Sequence, residues 1–192
     1  MRAPALLLTV ATLLNPGLAI PSLAAPAPSA GPEVALGPVT KLPLPRYASL
    51  KTDRVNLREG PSKDHRTLWV FQRAGLPIEI VAEYETWRRI RDSEGTEGWV
   101  LHSLLSGRRT SIVTAGKGGD KSPEKSAVPL YAKADESSGE EARLQAGVIG
   151  SVKNCTGSWC RVVVALPQKR GDVDGYIRQD RLWGVYPNEK VD

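Results

Sequence analysis

The stretch that decides the fold is residues 55–75, VNLREGPSKDHRTLWVFQRAG. It opens with alternating apolar and polar residues, stops at a Glu-Gly-Pro sequence, continues through a polar loop, and ends in an apolar run followed by Ala-Gly. Short runs of this kind, separated by Gly and Pro, are typical of β-strands joined by loops. We therefore interpret the stretch as a first strand, a long loop and a return strand.

The same pattern occurs twice in the chain. A repeated pattern is more typical of a duplicated fold unit than of an active site, which usually occurs once. Each copy has an apolar start, an Ala-Gly turn, a Trp twelve residues after that Gly, and later a Gly followed by an aromatic residue. The paired positions are Val55-Asn56-Leu57 with Val128-Pro129-Leu130, Gly75 with Gly147, Trp87 with Trp159, and Gly98-Trp99 with Gly175-Tyr176. No segment of either copy sustains a helical period, and short strands at this spacing predict a small barrel or sandwich.

The first copy resembles the bacterial SH3-like (SH3b) domain family in the motifs VNLREGP at residues 55–61, ETWRRI at 85–90 and GWVLHSLL at 98–105. The second copy is degenerate, because YAKA at residues 131–134 replaces the Arg and the Gly-Pro turn. The resemblance implies an all-β fold of two small, five-stranded, partly open barrels in tandem. We place barrel 1 at residues 47–106, a flexible basic linker at 107–126, barrel 2 at 127–186 and a tail at 187–192.

The N-terminal region is predicted to be a secretory signal peptide followed by a disordered tether. Residues 1–24 have a positive start, an uncharged apolar stretch and small residues before the expected cleavage point. An uncleaved anchor is the alternative, although about a dozen apolar residues fall short of the roughly 20 that span a bilayer. Residues 25–46 are rich in Pro and Ala, so they bury too little apolar surface to offset the entropy of ordering. We predict a periplasmic or secreted protein with no transmembrane segment after cleavage.

The basic excess of the chain does not point to nucleic-acid binding. The net charge is +5, and residues 107–126 hold five Lys/Arg against two Asp/Glu among Gly and Ser. Nucleic-acid binding calls for a basic stripe with interleaved aromatic residues on a folded surface. We therefore interpret the charged stretch as a solvated linker, with contact to an anionic wall polymer as the alternative, and predict no nucleic-acid partner.

The few reactive side chains do not form the constellation that an enzyme needs. The two histidines, His65 and His102, are too few for a His-rich metal site. Cys155 and Cys160 flank a Gly-Ser turn centre, and because an exported protein meets oxidising conditions, we expect a disulfide between them. The alternative is that one cysteine acts as a nucleophile with His102, as in the cysteine peptidases that often accompany the SH3b family. We predict a non-enzymatic protein with no catalytic residue, cofactor or metal.

The tryptophans carry the functional signal. Side chains alternate faces along a strand, so if Ile90 is in the core, Trp87 lies on the outer face, where a large ring needs a neighbour or a ligand. The same parity applies to Trp159 in the second copy. In related barrels a tryptophan at a similar position lines the groove for extended peptides, so the resemblance implies a ligand-binding groove at Trp87, with Tyr84 and Arg58 beside it. The alternative is that Trp87 only covers its own hairpin and loop.

These features predict an exported, non-enzymatic binding or scaffolding module of the cell envelope. Its expected ligand is a peptidoglycan stem peptide or a segment of an envelope protein. The alternative is a protein that binds a partner protein, or regulates a cell-wall hydrolase, with no wall binding of its own.

Overall fold

The computed structural model describes residues 35–115, 127–166 and 171–192. Within these ranges the regular structure consists of β-strands and short 3-10 turns, which confirms the all-β prediction. None of the helical turns described is long and apolar enough to cross a membrane. The predicted signal peptide, residues 1–24, lies outside the described residues.

The first described residues form a hairpin that is attached to barrel 1. Strand β1 (Ala35–Leu36) pairs with β2 (Pro43–Leu44), and the backbone N–H of Thr40 in the connecting turn donates to the Glu83 carboxylate at 2.8 Å. The predicted disordered tether over residues 25–46 is therefore wrong for its described part. The physical reason is a buried carboxylate 43 positions further along the chain, which binds the turn.

Barrel 1 is one antiparallel sheet of seven strands, with the order β5-β4-β8-β7-β6-β3-β9. Its strands are β3 (Arg46–Leu50), β4 (Val55–Arg58), β5 (Thr67–Phe71), β6 (Pro77–Tyr84), β7 (Trp87–Arg91), β8 (Glu97–Leu101) and β9 (Leu105–Ser106), and a 3-10 turn at His102–Leu104 separates the last two. Strands β5 and β9 are the two ends of this order, so the barrel is partly open.

Alternation along the strands of barrel 1 builds its apolar core. In β4, Val55 and Leu57 are fully buried and Asn56 is exposed, as the period of two requires. The buried cluster contains Ala48, Leu50, Val55, Leu57, Phe71, Ile78, Ile80, Ile90 and Val100. Removing such aliphatic side chains from water is the main stabilising contribution in a barrel of this size.

Barrel 2 repeats barrel 1 strand by strand. Its strands are β10 (Thr110–Val113), β11 (Val128–Tyr131), β12 (Glu140–Leu144), β13 (Ile149–Thr156), β14 (Trp159–Ala165), β15 (Asp172–Arg178), β16 (Leu182–Trp183) and β17 (Lys190–Val191). The order is β12-β11-β15-β14-β13-β10-β16, which matches the order in barrel 1 position for position, and β17 pairs with β13 as an addition. The predicted tandem of two SH3-like barrels is therefore confirmed.

Two predicted boundaries of barrel 2 need correction. Strand β10 lies inside the predicted linker 107–126, is mostly buried, and occupies the place that β3 has in barrel 1. Its four residues, Thr-Ser-Ile-Val, have high β-propensity that the surrounding Gly, Ser and basic residues obscure. Residues 116–126 of the linker lie outside the described residues. The predicted tail 187–192 contains β17, which covers part of the edge of β13.

The disulfide expected in barrel 2 is present. Cys155 and Cys160 are directly opposite each other on β13 and β14, with an S–S distance of 2.01 Å and a Cα–Cα distance of 4.1 Å. Both side chains belong to the apolar core of barrel 2. Both cysteines take part in this bond, so neither thiol is free among the described residues.

Reduction of this disulfide should lower the free energy of unfolding, because the reduced unfolded chain has more conformational freedom. The expected loss is roughly 2 kcal/mol, since the loop that the disulfide closes is short. Urea unfolding with and without dithiothreitol measures the difference, and the Cys155→Ala/Cys160→Ala variant is the control that the reductant should not affect. Alkylation of two thiols in unreduced, folded protein would contradict the pairing.

An aromatic and charged cluster joins the two barrels, and we call it the barrel joint; it contains Tyr47, Glu79, Arg109, Trp183 and Tyr186. The ring centroid of Tyr47 lies 4.5 Å from that of Tyr186 and 5.1 Å from that of Trp183. The Arg109 guanidinium lies over the Tyr47 ring at 5.7 Å, and the Tyr186 hydroxyl donates to Glu79 at 2.9 Å. Burial and this hydrogen bond raise the pKa of Tyr186, so the hydroxyl remains a donor.

Tyr47→Ala should weaken the coupling between the barrels, because it removes the ring that Trp183 and Tyr186 of barrel 2 contact. We expect the wild type to unfold in one calorimetric transition and the variant in two, with a loss of about 2 kcal/mol for the part-buried ring. Tyr84→Ala, which removes a tyrosine of barrel 1 outside the joint, is the matched control. Unchanged unfolding of the Tyr47 variant would show that the joint does not couple the barrels.

Candidate functional site

Two adjoining clefts of about 280 and 650 Å³ form a groove at one end of barrel 1. Lys63, Trp87 and Leu101 line both clefts, so the two are continuous, and we call them together the Trp87 groove. The inner cleft is lined by Arg54, Asn56, Arg58, Lys63, Trp87, Leu101 and Leu104. The outer cleft adds Pro61, Ser62, Asp64, Thr86, His102 and Ser103. The groove therefore runs between the β4–β5 loop and the 3-10 turn, with Trp87 common to both parts.

The β4–β5 loop, residues 59–66, is held in place by hydrogen bonds. Arg58 Nη1 donates to the carbonyls of Lys63 and His65 at 3.0 and 2.7 Å. The His65 ring packs against Gly60 so closely that a Cβ at this position would overlap the ring. The close contact of Gly60 and His65 and the Arg58 hydrogen bonds thus keep the loop compact, and one wall of the groove is formed before any ligand binds.

Trp87 is more enclosed than its strand parity suggests. Ile90 is fully buried, and Arg89, on the same side of β7 as Trp87, is exposed. Trp87 is nevertheless only 7% exposed and is not part of the buried apolar cluster. The ring lies against the loop and the 3-10 turn that form the groove, so a limited part of it is available to a ligand.

The two predicted neighbours of Trp87 occupy different places. Arg58 lines the inner cleft, where it also supports the β4–β5 loop. Tyr84 lies opposite Trp87 on β6 and is 51% exposed, but it packs edge-on against Trp99 at 6.5 Å and does not line either cleft. The groove thus contains Arg58 and Trp87, whereas Tyr84 is on the adjoining surface.

Trp159, the predicted ligand contact of barrel 2, is partly exposed and is contacted by side chains of its own barrel. Its ring meets that of Tyr131 edge-on at 5.6 Å, and the Arg178 guanidinium lies 5.7 Å from its centroid. Arg178 also pairs with Glu136 at 3.3 Å. The surface of barrel 2 that corresponds to the Trp87 groove therefore carries the Tyr131 ring and an exposed ion pair of Arg178 and Glu136 beside Trp159.

Several groove residues were not predicted from the sequence: Arg54, Asn56, Lys63, Leu101 and Leu104. For two of them, Arg54 and Asn56, the signal was present in the parity of β4. Arg54, Asn56 and Arg58 alternate with the buried Val55 and Leu57, so they share the outer face. Lys63, Leu101 and Leu104 come from a loop and a turn, where strand parity gives no information.

The inner cleft has a basic rim. Within the described ranges, Arg54, Arg58 and Lys63 have no carboxylate within ion-pair distance, whereas other arginines of barrel 1 do. The paired ones are Arg46, Arg66, Arg88, Arg89 and Arg91. The Arg58 hydrogen bonds go to neutral carbonyls, so they leave its charge uncompensated. The groove therefore combines uncompensated positive charge with an aromatic and aliphatic surface.

Metal binding has no support in the described part of the chain. No group of three or more His, Cys, Asp or Glu side chains there has a suitable arrangement for a metal ion. His65 packs on Gly60, and His102 lies at the outer cleft. Neither histidine therefore belongs to a described cluster of potential metal ligands.

The chain belongs to the bacterial SH3 domain family. The family model, described as "Bacterial SH3 domain", matches residues 51–107 and 124–184, which together are more than half of the chain. The two matched segments correspond to most of barrel 1 and most of barrel 2. Members of this family are binding domains, so the class of protein defined here is a tandem SH3-like binding module.

Three solved structures are similar to the chain at low identity. They are NlpC2 and NlpC1 from Trichomonas vaginalis, each 13% identical with a TM-score of 0.31, and an NlpC/P60 family protein from Bacillus cereus, 10% identical with a TM-score of 0.29. The matches cover 72%, 77% and 71% of this chain and 48%, 48% and 55% of those chains. The chain thus spans about half the length of these structures, and the TM-scores are too low to indicate a shared overall arrangement. No curated protein sequence matches the chain.

Proposed function

We propose that the protein is an exported, non-enzymatic binding module of the cell envelope whose Trp87 groove holds an extended peptide of the peptidoglycan stem. The observation that carries the proposal is the difference between the two barrels. In barrel 1 the clefts run along Trp87 between the β4–β5 loop and the 3-10 turn, whereas in barrel 2 Arg178 stands at the position of the groove residue Leu101 and lies beside the Trp159 ring. Barrel 1 is the binding barrel, and barrel 2 is its structural partner.

The groove has the properties of a site for a short peptide. Its hydrogen-bonded loop and its buried tryptophan reduce the entropy that would be lost on binding. Trp87, Leu101 and Leu104 offer an apolar surface for one or two side chains, and polar groups along the rim can fix the orientation of a peptide backbone. An open groove suits an extended ligand better than a compact one.

Export is supported by the disulfide and by the N-terminal sequence. A disulfide between Cys155 and Cys160 persists in oxidising compartments and is rare in the cytoplasm. The apolar stretch within residues 1–24 has the length of a signal peptide. We therefore infer that the protein acts outside the cytoplasm, where peptidoglycan is accessible.

A protein partner is the second candidate, and the edge strand β5 favours it. Trp69 and Leu68 on β5 are 60% and 42% exposed, and the other side of this strand has no partner in the sheet. Exposed apolar residues on a free sheet edge mark sites where another chain can pair. The corresponding strand β12 carries Glu140, Glu141 and Arg143 instead.

Sedimentation with purified sacculi tests the proposal. The test variant is Lys63→Glu/Leu101→Arg, which gives barrel 1 the charged pair that Glu136 and Arg178 form over Trp159. It should fill the groove, leave the fold intact and reduce the bound fraction at least ten-fold. Lys51→Gln, an exposed lysine outside the groove, is the matched control and should bind like the wild type. Trp87→Ala is less suitable, because loss of a buried ring costs about 3–5 kcal/mol.

Wild-type protein that stays in the supernatant would overturn wall binding. Recovery of an envelope protein that is lost with Leu68→Glu/Trp69→Glu, and retained with the groove-filling variant, would favour the second candidate instead.

A further inference from the structure

The Trp87 groove has a basic end and an apolar end. Arg54, Arg58 and Lys63 line the inner cleft on one side, and Leu101 and Leu104 line it with Trp87 on the other. A ligand that fits both ends has an apolar group next to an anionic group. Cations on flexible stems at a solvent-exposed rim attract an anion over a distance of about a Debye length, so they affect both the encounter and the bound complex.

The second barrel contains an internal example of this pairing. Register places Leu101 opposite Trp87 and Arg178 opposite Trp159, so Leu101 and Arg178 are equivalent positions. The β4–β5 and β11–β12 loops each have eight residues and are closed by equivalent hydrogen bonds, from Glu59 N to Arg66 O and from Ala132 N to Gly139 O. By this alignment Lys63 corresponds to Glu136.

Barrel 2 therefore supplies both members of an ion pair at this place, and barrel 1 supplies only the cation. Arg178 meets the Glu136 carboxylate at 3.3 Å beside the Trp159 ring. In barrel 1 the position of Glu136 is occupied by Lys63, and Leu101 takes the place of Arg178 beside Trp87. The neighbouring Asp64 lines the outer cleft and accepts a hydrogen bond from the Ser62 hydroxyl. Lys63 has no ion-pair partner among the described residues, so an anion of a ligand can take the role that Glu136 has in barrel 2.

We propose that the Trp87 groove recognises a carboxylate of its peptide ligand through Arg54 and Lys63, with an adjacent small apolar side chain against Trp87 and Leu101. This inference rests on the proposed function and narrows its ligand to peptides with a free carboxyl group. Arg58 is a positioning residue, because its Nη1 holds the loop that carries Lys63. Arg54 and Lys63 have no comparable hydrogen bond in the described part of the chain, so their cationic groups remain available.

Calorimetric titration with a matched pair of peptides tests the inference. The probes are the synthetic stem pentapeptide L-Ala–γ-D-Glu–L-Lys–D-Ala–D-Ala and the same peptide with its carboxyl groups converted to amides. We expect the intact protein to bind the free acid about ten-fold more tightly at low salt, with the preference shrinking as ionic strength rises. Arg54→Gln and Lys63→Gln should each weaken binding of the free acid about five-fold and leave binding of the amide unchanged. Lys51→Gln should bind both peptides like the wild type.

The outcomes distinguish this inference from the proposed function. Equal affinity for the two peptides, or sacculus binding without binding of either peptide, would overturn carboxylate recognition while wall binding stands. Failure of the wild type to bind sacculi and both peptides would overturn both proposals. Binding of the free acid that survives the double variant Arg54→Gln/Lys63→Gln would also overturn the assignment of these two residues.

Discussion

Replacing Glu83 by Gln should lower the free energy of unfolding by about 3–5 kcal/mol. This is the usual cost of removing one charged partner of a buried ion pair while the other partner stays buried, about 3–5 kcal/mol in general. The Glu83 side chain is fully buried and pairs with Arg46 at 2.7 Å and with Arg88 at 3.5 Å. It also accepts hydrogen bonds from the N–H groups of Val39 and Thr40. The substitution leaves Arg88 buried without its counter-ion and releases the turn between β1 and β2.

The same carboxylate makes a defined contribution to the pH dependence of stability. Burial acts to raise the pKa of Glu83, but hydrogen bonds from Thr40, Arg46 and Val39 outweigh it and lower the pKa from 4.5 to about 2. A group whose pKa is lower in the folded state stabilises the fold above its unfolded pKa. Its contribution should therefore be complete above about pH 4.5 and disappear as the pH falls toward 2.

Urea unfolding as a function of pH measures both effects of Glu83→Gln. The matched control is Glu94→Gln, because Glu94 is exposed in a turn and its side chain takes part in no described ion pair. We expect Glu94→Gln to have the stability of the wild type. Equal stability of Glu83→Gln and wild type at pH 7 would show that the N-terminal hairpin is not held by this carboxylate.

Gly98→Ala should lower the free energy of unfolding by about 1–3 kcal/mol, because β4 and β8 approach too closely for a side chain. A Cβ at position 98 would lie 2.6 Å from Leu57 Cγ and 2.8 Å from the Arg58 carbonyl oxygen. The backbone contact places the expected loss near the upper end of this range, since a carbonyl cannot move as a flexible side chain can. The equivalent Gly175 in barrel 2 has the same contacts with Leu130 and Tyr131.

Thermal or urea unfolding of Gly98→Ala is compared with that of Gly107→Ala. A Cβ at Gly107 would meet nothing within 4 Å, so this variant should be as stable as the wild type or slightly more stable. If both alanine variants have wild-type stability, β4 and β8 are far enough apart at Gly98 in solution to hold a side chain, which would contradict the close contact described here.

The repeated motif predicted most of the fold because its signals are local. The alternation of Val55, Asn56 and Leu57, and the glycines at the strand crossings, depend on neighbouring residues and on backbone geometry. These constraints are the same in both copies, so comparing the copies identified the barrels despite the loss of the Gly-Pro turn at residues 131–134. The Cys155–Cys160 pairing was also local, since both residues belong to one hairpin.

The errors in the sequence prediction come from long-range partners. The turn around Thr40 is ordered by Glu83, which lies 43 positions away and would have been interpreted as an ordinary surface carboxylate. Strand β10 gains its place from pairing with β13 and β16, although its surroundings have the composition of a linker. The composition of a segment indicates whether that segment can form a structure by itself. It gives no information on the pairing partners that a distant strand supplies.

The residues of the candidate groove were only partly predicted, because some of them come together through contacts between distant parts of the chain. Strand parity identified Trp87, and it could also have identified Arg54 and Asn56 on the outer face of β4. It could not distinguish Trp87 from Trp159, because the difference arises from Arg178, a residue of the neighbouring strand whose guanidinium lies 5.7 Å from the centre of the Trp159 ring. The replacement of Leu101 by Arg178 is visible in the sequence, but its meaning requires the register of β14 and β15.

Indole N–H resonances of the five tryptophans distinguish the two barrels as binding surfaces. The measurement is a titration of isotope-labelled protein with soluble peptidoglycan fragments released from sacculi. We predict that the Trp87 resonance shifts with saturation, while those of Trp159 and Trp183 remain unchanged. A shift of Trp159 with Trp87 unaffected would contradict the assignment of the binding site to barrel 1.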